Sequence, residues 1–291
     1  MSIRGVAQHF LEDNFYPCNR CLRTWLYTDT INISTQIFRR SELMNFHFGD
    51  SGECQVILVF KGTDKIKLEN ELYNYLKEKE LFTGKSGETY SHISHSGDNF
   101  IFLGLGEEDK ISADSLRKAF FNAGRKLMEL KAKSAQISIP QFKNIGYTYT
   151  VKAITEGLLQ SEYSFEKYVS EKKTVPTVED VYFHIPEDKE NDTMDAIEET
   201  KSLIEGIFLA RDLANEPAIN MTPKELSDRA KQELQSLGVE VEIYGRDQIE
   251  EIGMEAFLAV SKGSAQEPKL IVMNYTGNPS SNKKLALVGK G

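Results

Sequence analysis

The residues best placed to do chemistry lie at the carboxyl end of the chain. Leu285-Ala286-Leu287-Val288 reads as an apolar strand running into Gly289-Lys290-Gly291, and open α/β sheets place their ligand sites at the carboxyl ends of strands. The flanking glycines permit close backbone approach. If the lysine is buried beside another cation its pKa falls, and the freed lone pair becomes available to a metal or a proton. Terminal lysines are more often simply solvated, and position alone leaves both readings open.

Three other groupings carry weaker signals. Cys18-x-x-Cys21 has metal or redox spacing, but one pair without a second cannot complete a tetrahedral site. His92 and His95 flank Ile93-Ser94 in a Ser/Gly-rich stretch, where a solvated loop is the simpler reading. Gly104-Leu105-Gly106 comes after an apolar run and hints at a phosphate turn, but Asp109 stands where G-x-G-x-x-G needs its third glycine. With Glu107 and Glu108 beside it, that loop is expected to repel phosphate and to serve as a tight turn.

The elements that position these residues are read from periodicity. The spacing predicts strands at Cys54 to Phe60, Phe100 to Gly106, Ala135 to Ile139 and Val181 to Ile185, after a start at Asn45 to Phe48. Between them it predicts helices at Lys67 to Glu80, with Leu68, Leu72, Tyr75 and Leu76 on one face, from Ser112 to about Lys131, and at Val151 to Tyr168. Strands alternating with helices imply a mainly parallel sheet.

A long helix from Asp192 to Ala214 should connect this domain to a second one, with Met194, Ile197, Ile204, Phe208 and Leu209 on its apolar side. Asn215-Glu216-Pro217 ends it. Thr222-Pro223-Lys224-Glu225 is a helix start, with Thr222 as N-cap and Glu225 completing a capping box. That helix runs to Leu237, and beyond it come strands at Val239 to Tyr244, Lys269 to Tyr275 and Leu285 to Val288, with a short helix at Asp247 to Ile252.

Composition bounds the function classes. The 291 residues are 40% hydrophobic and 27% charged, which describes an ordinary globular chain with room for about two domains. The net charge of −9, from 35 basic and 44 acidic residues, argues against a broadly basic nucleic-acid surface, so nucleic acid is not an expected partner. No apolar run is long enough for a membrane helix, and three cysteines make no disulfide framework, so no membrane partner and a cytoplasmic location are expected. Residues 1–43 hold five arginines and no lysine, whereas the remainder holds five arginines and 25 lysines. That break marks 1–43 as an extension of doubtful status.

The motifs from Ala210 onward resemble a known family. Ala210-Arg211-Asp212-Leu213-Ala214-Asn215-Glu216-Pro217, Met221-Thr222-Pro223, Gly253-Met254-Glu255-Ala256-Phe257-Leu258-Ala259-Val260 with Lys262-Gly263-Ser264, and Leu287-Val288-Gly289-Lys290-Gly291 are similar, in that order, to the leucyl aminopeptidases of peptidase family M17. Glu156-Gly157 with Tyr163-x-Phe165-x-x-Tyr168 resembles the helix near the end of that family's amino-terminal domain. The resemblance covers about 44–291.

It implies an α/β fold: a macro-like amino-terminal domain at 44–186, a linker helix at 187–221, and an incomplete start of the catalytic domain at 222–291. It implies metal-activated hydrolysis of peptides with a free amino terminus by a homo-hexamer holding two divalent ions (Mn, Zn or Mg). Of the family's ligands only Lys290 has a counterpart in this sequence, and none of its catalytic residues does. The chain is therefore expected to be an amino-terminal portion cut just after its first metal ligand, inactive and metal-free by itself. The alternative is a noncatalytic macro-like module that binds a nucleotide or DNA.

Overall fold

A computed structural model describes residues 43–291 apart from 65, 67–69, 96 and 172–175. The extension, Cys18-x-x-Cys21 and Leu68 lie outside the described residues. The chain divides into two compact units, residues 43–216 and residues 217–291 among those described.

The first unit is built on a six-stranded sheet. Its strands are β1 (Asn45–Phe48), β2 (Cys54–Phe60), β3 (Thr89–His92), β4 (Asn99–Gly106), β5 (Ser134–Ser138) and β6 (Asp180–His184). Their spatial order is β1-β6-β5-β2-β4-β3, all parallel except the edge strand β3, which runs antiparallel to β4. Four helices cover the sheet: α1 (Asn70–Glu78), α2 (Ala113–Glu129), α3 (Tyr147–Ser161) and α4 (Glu190–Asn215).

The period-2 geometry of β4 sorts its side chains onto two faces. Phe100 and Phe102 pack with Val59, Tyr73, Leu76 and Phe82 on the α1 side. Ile101, Leu103 and Leu105 join the larger core with Leu116, Phe120, Val151, Ile154 and Ile197 from the helices opposite. Both faces are buried, which explains why β2 and β4 read as continuous apolar runs.

Local signals set the helix ends. Ser112 caps α2 by accepting from Ser115 N at 3.1 Å, and Ser115 Oγ accepts from Ser112 N at 2.9 Å, a reciprocal pair that holds the first turn. α2 and α3 cross closely because each carries a glycine at the contact. A Cβ at Gly157 would stand 2.5 Å from Arg117 O and 3.0 Å from Phe120 Cβ.

Several sequence expectations need correction. α1 buries Tyr73 and Leu76, while Tyr75 is 54% exposed, because the sheet meets the Tyr73 side of the helix. α3 begins at Tyr147 and stops at Ser161, so Tyr163, Phe165 and Tyr168 lie beyond it. β3 was hidden in a polar stretch whose alternation is weak, since an edge strand half open to solvent tolerates Thr89, Ser91 and His92. On α4, Met194 is exposed whereas Ile197, Ile204 and Phe208 are buried. α4 packs within the first unit, its buried residues sharing one core with α3.

The second unit contains α5 (Pro223–Gln235), β7 (Glu240–Tyr244), α6 (Arg246–Glu251), α7 (Glu255–Ser261) and β8 (Leu270–Asn274), with β7 and β8 an antiparallel pair. Thr222 accepts from Glu225 N at 3.3 Å and Pro223 takes the first helical position, but no return bond from the Glu225 side chain closes the box. α7 escaped the periodicity because seven residues show too few turns to read.

The strand expected at Leu285–Val288 does not form. Residues 276–291 carry no helix or strand, and Leu285, Leu287 and Val288 are 74%, 88% and 98% exposed. An apolar run becomes a strand only where it pairs with a neighbouring backbone, and residues 285–288 pair with neither β7 nor β8. Burial in this unit is confined to Ser227, Ile249, Leu258 and Pro268 among the described residues.

Gly157→Ala should lower unfolding stability by about 1–3 kcal/mol through overpacking, whereas Gly206→Ala, on an exposed stretch of α4 with nothing within 4 Å, should raise it by about 0.5–1 kcal/mol. Urea denaturation followed by circular dichroism checks both signs. Limited trypsin digestion should remove residues 217–291 before it cuts 43–216; equal resistance of the two units would contradict the sparse burial of the second.

Candidate functional site

Lys290 stands in the exposed stretch after β8, and a Cβ at the neighbouring Gly289 would meet nothing within 4 Å. The described residues contain no group of three or more His, Cys, Asp or Glu side chains able to hold a metal ion. His92 belongs to β3 and stacks on Phe100, ring centroids 4.9 Å apart, which gives it a packing role. His95 lies in the turn beyond. Neither histidine joins a ligand cluster.

The carboxylates of the Ala210–Pro217 motif do have partners. Asp212 accepts a hydrogen bond from the Tyr163 hydroxyl at 2.8 Å, and Asn215 Nδ2 donates to the same hydroxyl at 2.8 Å. The Arg211 guanidinium carbon lies 3.6 Å from the Tyr163 ring centroid, a cation–π stack. Glu216, only 10% exposed in its side chain, accepts from Lys167 Nζ and, at 2.5 Å, from the Tyr168 hydroxyl. The hydrogen bond that Lys167 donates to Glu216 raises the Lys167 pKa above the ordinary lysine range.

Two sequence motifs about 50 residues apart thus lock onto each other. The segment after α3 supplies tyrosines and a lysine; the last turn of α4 supplies the acids that receive them. This explains both spacings: Tyr163 and Tyr168 bracket the end of α4, and Pro217 then directs the chain out of the first unit. The sequence showed each motif separately but carried no signal of the pairing.

The glycine turn after β4 differs from its sequence reading. Gly106 takes φ +80°, a left-handed conformation suited to glycine, and Gly104 lies against the backbone of Gly84 and Lys85. Glu107 does not stand as a bare charge: Lys110 and, at 3.3 Å, Lys61 bond to it and hold its carboxyl below the usual range. Glu108 and Asp109 are exposed in the short 3₁₀ turn beyond. The turn is a junction of basic and acidic groups, with Lys85 and Ser86 facing the same cleft.

No helix among the described residues is long and apolar enough to cross a membrane.

With this geometry established, comparison with known proteins is direct. The model of the cytosol aminopeptidase family N-terminal domain matches residues 56–172, and that of the same family's catalytic domain matches residues 208–291. A probable cytosol aminopeptidase of Clostridium tetani is 62% identical over 248 residues, covering 85% of this chain and 52% of the relative. That of Treponema denticola is 40% identical over 248 residues, covering 85% and 51%. The chain spans about half the length of the curated relatives it matches.

Among solved structures, a tomato leucine aminopeptidase mutant aligns with a TM-score of 0.64 at 22% identity, over 78% of this chain and 50% of that one. The bottromycin maturation enzyme BotP aligns with a TM-score of 0.62 at 21% identity, over 77% and 46%. At such identities the likeness concerns fold alone. Two models of one family in their proper order, together matching more than half of the residues, settle the relationship: this chain belongs to the cytosol aminopeptidase family, peptidase family M17.

Proposed function

We propose that this chain contributes the amino-terminal domain and the opening of the catalytic domain to a leucyl aminopeptidase, which releases amino-terminal residues from peptides. The observation that carries the reading is the 62% identity to a probable cytosol aminopeptidase over 85% of the chain. The proposed division is an amino-terminal domain at 44–186, a linker at 187–221 whose helix α4 packs against that domain, and the start of the catalytic domain at 222–291, with 1–43 an extension. The working enzyme is a cytoplasmic homo-hexamer, without nucleic-acid or membrane partners.

Within this reading Lys290 is a metal ligand. The family is one of metal-dependent hydrolases, and the ions are proposed to be Mn, Zn or Mg, which supply Lewis acidity and an activated water when bound. A lysine ligates only as the neutral amine, so its site must exclude water and gather positive charge. The residues present do not fit such a centre. A pair of ions needs bridging carboxylates, the described residues bring no ligand cluster together, and Lys290 is exposed. Asp212 and Glu216 are committed to Tyr163, Tyr168 and Lys167. What Asp212 and Glu216 do instead is fasten the end of α4 to the segment after α3.

Assay of the 291-residue polypeptide on leucine p-nitroanilide with added Mn should show no turnover above buffer; metal-dependent hydrolysis would overturn the assignment of its residues to support alone. In the full-length enzyme that contains this chain, Lys290→Met should cost more than the about 10–100-fold lost when a residue that merely supports a ligand is changed. The metal content should also fall from two ions per subunit to one. Retention of both ions with full activity would sink the ligand role.

A further inference from the structure

The cleft at the carboxyl ends of β2 and β4 has the geometry of a binding site that the aminopeptidase reading does not use. The helix that comes after β2, α1, covers one face of the sheet, and the helix that comes after β4, α2, covers the other. Between such strands the connections part to opposite faces and leave a crevice beyond the strand ends, the position where open α/β sheets receive ligands.

Three chain segments are tied together at this point by backbone hydrogen bonds. Lys61 N donates to Gly106 O at 2.8 Å, Gly106 N to Gly84 O at 2.9 Å, and Gly87 N to Gly104 O at 2.8 Å. Those bonds fix the spacing of the side chains that line a cavity of about 290 Å3: Lys61, Lys85, Ser86, Glu107, Lys110 and Ser115. Three lysines and one glutamate line it, in a chain whose overall charge is −9.

The local excess of positive charge survives the ion pairs. Glu107 occupies one donor of Lys61 and one of Lys110, whereas an ammonium carries three. Lys85 forms no ion pair with the described residues. Ser86 adds a hydroxyl, and Gly106, left-handed at φ +80°, puts no side chain of its own into the lining.

We propose that this cleft binds a small phosphate-bearing anion, with Lys61, Lys85 and Lys110 as its charge partners and Ser86 as a neutral donor. Converging lysines act as point charges toward a tetrahedral dianion. The volume sets the size: at about 290 Å3 it falls just short of the roughly 300–1,000 Å3 range of small-molecule pockets, so it suits a mono- or diphosphate group and not an entire dinucleotide. The site lies within residues 61–115 and does not rest on the aminopeptidase reading.

The test uses the full chain, with pyrophosphate as probe in isothermal titration at low salt, and ADP and citrate as further arms. Saturable one-to-one binding of pyrophosphate is expected, screened by added salt. ADP binding more tightly than pyrophosphate identifies a nucleotide source of the phosphate; equal or weaker binding identifies a non-nucleotide one. Lys85→Gln and Lys61→Gln should each weaken binding about tenfold, the loss of one charge-assisted hydrogen bond. Glu107→Gln, which frees the two lysines, should tighten it.

Lys133→Gln removes the same charge at the start of β5, outside the cleft, and should leave binding unchanged. If a lysine variant melts early, pyrophosphate-dependent amide shifts at Gly84 and Gly106 in the unmodified chain provide the same reading. Absence of binding, equal retention of citrate, or an equal loss from the Lys133 variant would each overturn the proposal.

Discussion

The double burial of β4 is the constraint on which the first unit depends. Phe100 and Phe102 require a helix on one face, and Ile101, Leu103 and Leu105 require helices on the other. A parallel sheet with one wet face would leave half of those side chains in water at about 1.5–3 kcal/mol each. The connections therefore go to both sides, α1 to one and α2, α3 and α4 to the other. The same requirement produces the crevice between β2 and β4, so the place where this unit can receive a ligand is a consequence of how its core is closed.

A second constraint acts where the first unit ends. The last turn of α4 offers carboxylates that would be costly to leave unpaired at low exposure, and the segment after α3 supplies Tyr163, Lys167 and Tyr168 to satisfy them. The Ala210–Pro217 motif, one of the strongest marks of the family in this sequence, is explained within this chain as a fastening. Sequence motifs are commonly read as chemistry; here the geometry assigns the acids to holding the helix end.

Much of the first unit was legible from pattern alone. Cys54–Phe60 and Asn99–Gly106 are apolar enough to announce buried strands, and Ser112 announces a helix start, because burial on both faces and capping are local in sequence. The failures occurred where a partner decides. The periodicity puts Tyr75 on the buried face, but only the direction of the sheet chooses between adjacent arcs of a short helix. Tyr163 to Tyr168 continued the α3 pattern in sequence, yet their hydroxyls and ammonium answer to Asp212, Asn215 and Glu216, which pull them out of it. Leu285–Val288 has the composition of a strand and none of its neighbours.

The sequence by itself determined the family and the alternating strand and helix order, because periodicity, caps and motif order are written in consecutive residues. Only the tertiary structure decided that Glu107 is neutralised by Lys61 and Lys110, that Lys85 joins them across a crevice, and that Asp212 and Glu216 hold a helix end. The physical reason is distance. Charges far apart along the chain act on one another only after the sheet has brought them within a few ångströms, and no local pattern records that approach.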